Sequence, residues 1–146
     1  MKILAFDVGK NTGVCFLENS KMIIDEIKFK TLFQYKEEIK ELIKKHKPNL
    51  VVYSDTVFMK NSNSVKPLHF YMACVEMACE ELKTQYEAIQ DSTAKKHVIG
   101  KGNAKKHEIK EWVINTSIIE SDGISQDVCD ATMFAEYMFN KLNKNA

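Results

Sequence analysis

Asp7, Asp55, Asp127 and Asp130 are the residues in this sequence best placed to do chemistry. Asp7 closes the apolar run Ile3-Leu4-Ala5-Phe6, and Asp55 follows Leu50-Val51-Val52-Tyr53; both runs read as buried strands. Asp127 and Asp130 open an apolar segment with helical spacing. Three residues apart on a helix, they face one side with Cβ atoms about 5–6 Å apart. An acid at the end of a core element is costly unless something compensates it. Several acids converging on one point repel each other unless a cation sits between them. A lone acid pair in the first turn of a helix is explained more simply by the helix dipole. The order strand-acid, strand-acid, helical Asp-x-x-Asp points instead to divalent cations held by carboxylates, the equipment of phosphodiester hydrolysis.

Two further features bear on that chemistry. Between Asp91 and Lys110 stand six lysines (95, 96, 101, 105, 106, 110) against Asp91 and Glu108, a local charge of 6 − 2 = +4 in a chain whose net charge is only +1. A charge run is usually a solvated face. Here it is broken by Gly100 and Gly102 and precedes the Asp pair, where amines would hold a polyanion and neutralise developing charge. All 21 basic residues are lysine, so phosphate contacts would be point charges rather than bidentate forks. The second feature is Asp7-Val8-Gly9-Lys10-Asn11-Thr12-Gly13, a strand end, a turn and a second strand. Its glycines are expected to permit the turn and to let a phosphate approach the backbone. The same D-x-G-x-x-x-G pattern occurs in the phosphate loops of actin-like ATPases and sugar kinases, which need two domains and a longer chain.

The elements that must position these residues are legible from periodicity. Strands are expected over 2–8, 12–18, 21–29, 50–54 and 86–90, the second and third forming a hairpin around Asn19-Ser20. Helices are expected over 32–47, stopped by Pro48-Asn49, and over 62–83, 92–98, 104–115 and 126–142. The order βββαβαβααα predicts an α/β fold in which an antiparallel hairpin feeds parallel strands. In the segment 62–83, Val65, Leu68, Met72, Val75, Cys79 and Leu82 step by 3 and 4 as a heptad seam. Phe70, Ala73, Cys74 and Met77 form a second apolar stripe beside it. Such a helix is either wholly core or shared between a core and a partner subunit.

Composition sets the bounds. A chain of 146 residues with 45% apolar content suits one domain, here 1–146, and 5 Gly and 2 Pro leave little room for linkers. No run approaches the roughly 18 apolar residues of a membrane span, and the N-terminal apolar stretch meets Asp7 too early for a signal peptide. Cys15, Cys74, Cys79 and Cys129 form no C-x-x-C and lie in apolar surroundings, which reads as reduced core cysteine in a cytosolic protein. His46, His69, His97 and His107 are scattered and carry no ligand spacing.

With these residues in place, the chain resembles the RuvC family of Holliday junction resolvases. The likeness runs nearly end to end, through ILAFDVGKNTG, SDTVFMKNSNS, KKHVIGKGNAKKHEI and QDVCDATMFAEYM, of which VFMKNSNS and GKGNAKK are the most specific. It implies a ribonuclease H-like fold, a five-stranded mixed sheet flanked by helices. It implies a crossover junction endodeoxyribonuclease that nicks two strands of like polarity in a four-way junction, leaving 5′-phosphate and 3′-hydroxyl ends. The family's four metal-binding acids fall on Asp7, Asp55, Asp127 and Asp130, implying two Mg²⁺ per subunit, with Mn²⁺ able to substitute. Its active-site lysines fall on Lys95 and Lys106, and its junction-inserting aromatic on Phe58. Lys96, Lys101 and Lys105 then become DNA contacts, and the helix over 62–83 becomes the homodimer element. The expected setting is the cytoplasm of a bacterial or phage-infected cell. One departure stands out: the family's second acid is normally glutamate, and Asp55 is one methylene shorter. The alternatives are a YqgF-like RNA-processing nuclease, whose group lacks the VFMKNSNS type of segment, and a junction-binding protein with weakened catalysis, which Asp55 alone suggests.

Overall fold

The computed structural model describes residues 1–55, 62–116 and 124–144, with backbone only over 62–66. Its organising element is strand β1 (Lys2–Asp7), whose residues 3–6 are fully buried. A central strand covered on both faces is a continuous apolar run rather than an alternating one. Ile3 and Ala5 enter one core layer, Leu4 and Phe6 the other. Strand β2 (Asn11–Glu18) returns antiparallel to β1, setting Ala5 opposite Cys15 and Asp7 opposite Gly13. Strand β3 (Lys21–Lys28) completes the hairpin, turning at Asn19 with a left-handed φ of 54°. On the other side β4 (Leu50–Asp55) runs parallel to β1 with Phe6 opposite Tyr53. Strand β5 (Gln85–Gln90) runs parallel to β4 with Asp55 opposite Gln90. The strand order is β3-β2-β1-β4-β5, the mixed five-stranded sheet expected from the sequence.

Helices α1 (Leu32–His46) and α2 (Ser62–Glu81) cover one face of the sheet. Helix α1 starts where the Thr31 hydroxyl accepts from the Gln34 N–H at 3.1 Å. It stops where Lys47 turns left-handed (φ 48°) before Pro48. Helices α3 (Asp91–Val98), α4 (Lys106–Thr116) and α5 (Gln126–Lys144) cover the other face. Met133, Phe134 and Met138 of α5 and Ile109 and Val113 of α4 are buried there. Burying a side chain of that size contributes roughly 1.5–3 kcal/mol, so α5 is held firmly against β1 and β2. All four cysteines are buried and reduced. Among the described residues no helix is long and apolar enough to cross a membrane.

Of the two readings of the α2 seam, its described C-terminal half takes the core one: Val75 and Cys79 are fully buried, and Met72 and Leu82 pack against the same layer. The apolar residues left exposed belong to the second stripe, with Phe70 at 50% and Met77 at 48% exposure. The physical reason is that α2 must cover a parallel β4–β5 sheet, and a seam stepping by 3 and 4 suits that work as well as it suits a partner helix.

Candidate active site

Two adjacent parallel strand ends set the site. Asp7 is the last residue of β1 and Asp55 the last of β4, so two acids stand side by side at the carboxyl edge of neighbouring parallel strands. The edge is pinned where the Val8 N–H donates to the buried Ser54 hydroxyl at 3.0 Å. In open α/β sheets this edge is where ligands bind. The turn after β1 is fixed by Thr12, which is fully buried. Its hydroxyl accepts from the Gly9 N–H at 3.2 Å, donates to the Gly9 carbonyl at 2.8 Å and meets the Tyr35 hydroxyl at 2.8 Å. Burial pushes the Tyr35 phenol well above its ordinary value, so it stays a neutral partner in this network.

Helix α5 brings the other two acids. Ser125 caps it, its hydroxyl accepting from the Val128 N–H at 3.2 Å. The helix can reach the strand edge only because Gly13, opposite Asp7 on β2, has no side chain. A Cβ there would lie 2.0 Å from the Asp127 carbonyl oxygen. Gly13 therefore makes room for α5, not for a phosphate, which corrects the sequence expectation. Gly9, with only ordinary contacts around a Cβ, is not sterically required to be glycine. As a result the Asp127 carboxyl is brought beside Asp7, where its charge adds to that of Asp130.

The electrostatics follow. Burial, then the charges of Asp130 and Asp127, hold the Asp7 carboxyl well above the usual carboxylate range. Asp130 is pushed up to about 6, chiefly by burial. The neighbouring Asp91 and Asp127 charges raise it further, while a hydrogen bond from Gln126 (3.0 Å) and the nearby Lys95 ammonium pull it down. Asp7, Asp55 and Asp130 line one cavity of about 380 Å³, together with Ser54, Asp91, Lys95 and Lys106.

Among the described residues no three side chains are gathered as ligands of a single ion. The donor set nevertheless fits a hard divalent cation, which takes carboxylate oxygens. Buried like charges that can be accommodated only by binding protons are what such an ion relieves.

The sequence-derived site residues thus divide. Asp7, Asp55, Asp130, Lys95 and Lys106 share the cavity, and Asp127 touches it through Asp7. Lys96 lies apart, in a second cavity with Ser92, His97 and Tyr137. Lys101 is paired with Glu108 at 3.6 Å, and Lys105 is exposed beside the start of α4. Phe58 lies outside the described residues. Asp91, which sequence reading counts only as a charge, also belongs to the site. The available signal was its place directly after a strand, one position beyond the strand-end places of Asp7 and Asp55.

Comparison with known proteins identifies the family. A family model described as "Crossover junction endodeoxyribonuclease RuvC" matches residues 12–136. The chain belongs to the RuvC family. A curated family member of that description from Wigglesworthia glossinidia brevipalpis is 27% identical over 157 aligned residues, covering 97% of each chain. Among solved structures, Thermus thermophilus RuvC superposes with a TM-score of 0.80 at 14% identity, covering 98% of this chain and 97% of that one. The same protein in complex with a Holliday junction substrate gives 0.83 at 15% identity, covering 98% and 96%. A fowlpox virus resolvase bound to substrate Holliday junction DNA gives 0.65 at 13% identity, covering 97% and 99%. At these identities the structural matches establish the fold, and the RuvC family model establishes the family.

Proposed function

We propose that the chain, as one nuclease domain over residues 1–146, resolves four-way DNA junctions, acting as a homodimer that nicks two strands of like polarity. The observation that carries this reading is the convergence of strand-end and helix-borne carboxylates on one cavity in a chain of the RuvC family. Its structural relatives include two proteins bound to Holliday junctions. Asp7, Asp55, Asp127 and Asp130 would hold two Mg²⁺ ions, with Mn²⁺ able to replace them. Such ions activate water and stabilise the leaving 3′-oxygen of a phosphodiester.

The chain's own residues bind and orient the DNA. Lys106, at the exposed start of α4, and Lys95, on the inner face of α3, present ammonium groups to the cavity where a scissile phosphate enters. Lys96, Lys101 and Lys105 extend the positive surface along α3 and α4 and hold the flanking backbone. Phe58, three residues beyond the β4 acid, stacks on an unpaired base at the junction centre. Such stacking is worth about 1–3 kcal/mol, comparable to the cost of opening a base step.

Labelled four-way junctions, linear duplexes and RNA hairpins incubated with the protein, with and without Mg²⁺, test the reading. Paired nicks in the junction alone, dependent on the ion, are expected. Cleavage confined to RNA, or junction binding without cleavage under any divalent ion, overturns it.

A further inference from the structure

We propose that Asp91 is a positioning residue whose carboxylate holds the Lys95 ammonium over the acid cavity and keeps it off Asp130. The inference rests on the reading of this cavity as the nuclease site. Asp91 directly follows Gln90, which is paired with Asp55 across the β4–β5 ladder, so its backbone is as fixed as the strand edge itself. One turn later Lys95 returns its amine to Asp91 Oδ2 at 2.5 Å. The lysine side chain is only 20% exposed, while the aspartate is 45% exposed.

An i,i+4 pair with an acid in the first turn is commonly a modest helix stabiliser. Here the pair differs in where it points. Both residues line the cavity that holds Asp7, Asp55 and Asp130, and the Lys95 charge also acts on Asp130. The ammonium is thus paired with the carboxylate at the strand edge and lies within electrostatic reach of the one on α5. A lysine stem is flexible, with a compact charge and freely rotating donors, and ordering it costs rotamer entropy. Without Asp91 the amine is free to settle on Asp130, removing a carboxylate from the set available to a divalent ion. With Asp91 in place, Asp130 stays available and the amine stays where phosphate enters.

The test is a double-substitution cycle read by single-turnover junction cleavage at saturating protein. Asp91→Asn is expected to slow cleavage about ten- to a hundredfold, the scale of a misplaced charged group. It is also expected to raise the Mg²⁺ concentration giving half-maximal rate, with junction affinity and melting temperature nearly unchanged. In a Lys95→Met background the same change is expected to have little further effect. Equal factors in both backgrounds, or an unchanged rate in the single variant, overturn the proposal. A second readout does not depend on cleavage. After reductive ¹³C-methylation, the Lys95 signal should move toward that of a free lysine in Asp91→Asn. An unmoved signal overturns the pairing whether or not the wild type cuts junctions, whereas failure of the wild type to cut refutes only the nuclease reading.

Discussion

At the scale of single residues, the site is defined by carboxylates that are hard to keep ionised together. Asp7 is held well above the ordinary carboxylate range, first by burial and then by Asp130 and Asp127. A carboxyl raised in the folded state costs nothing at a pH below its ordinary value of 3.8. The cost grows as pH climbs through the raised value and is complete above it. Replacing Asp7 by Asn removes that cost. In EDTA at pH 7, Asp7→Asn is therefore expected to melt higher than the wild type, by about 3 °C for each 1 kcal/mol relieved. The difference should shrink as pH falls toward the ordinary value of 3.8, because wild-type Asp7 takes up its proton well above it. Junction cleavage should be lost and junction binding kept, since neutralising an acid does not repel phosphate. Calorimetric scans across pH check the first part and gel-shift and cleavage assays the second; a variant that melts lower at pH 7 would contradict the electrostatic account. Much of this residue set was legible in the sequence because an acid directly after an apolar run is visible without coordinates. Asp91 escaped because its preceding strand, Gln85–Gln90, alternates exposed residues with half-buried Tyr86 and Ala88 and buried Ile89 instead of forming a continuous apolar run, so its end carries a weaker signal.

At the scale of elements, the site depends on how closely α5 approaches β2. Gly13 leaves no room for even one methyl group against the Asp127 backbone. Gly13→Ala is accordingly expected to cost about 1–3 kcal/mol of stability. It should also slow cleavage beyond any loss of folded protein, because α5 must move and carries both Asp127 and Asp130. Denaturant unfolding and cleavage per folded molecule measure the two effects; wild-type stability and rate together would show that the helix is not seated there. The elements themselves followed from sequence with small boundary shifts. Their apolar periods are unambiguous, and Thr31, Pro48 and Ser125 punctuate them. What periodicity could not supply was distance between elements. It showed Gly13 as a turn residue, while the structure shows it as the contact point for a helix 114 residues later (127 − 13). Nor could it choose which apolar stripe of α2 faces inward, since both stripes have helical spacing and only the β4–β5 surface decides.

At the scale of the whole molecule, a junction with two symmetric cuts suits two copies of one site. If the proposed homodimer forms through α2, the exposed Phe70 and Met77 offer it an apolar face that the buried seam does not. Met77→Glu is expected to leave folding intact, because the side chain is half exposed, and to place a charge at the subunit contact. Breaking such a contact with a buried unpaired charge costs several kcal/mol. Sedimentation should show monomers, with binding to junctions weakened and paired nicks replaced by single ones. A Met77→Glu protein that stays dimeric and cuts in pairs would move the interface away from this face.

The seating of the final helix on β2 also sets when in the life of the chain the site can exist. Asp7 is made 120 positions before Asp127 (127 − 7). A nascent chain still lacking α5 has its hairpin and central strand but leaves Ala5, Cys15 and Leu17 uncovered. Contacts of such long sequence separation close late and make folding slow. A polypeptide on the ribosome that has not yet reached α5 therefore carries half of the acids and none of the nuclease, and the site is assembled only once that helix has docked.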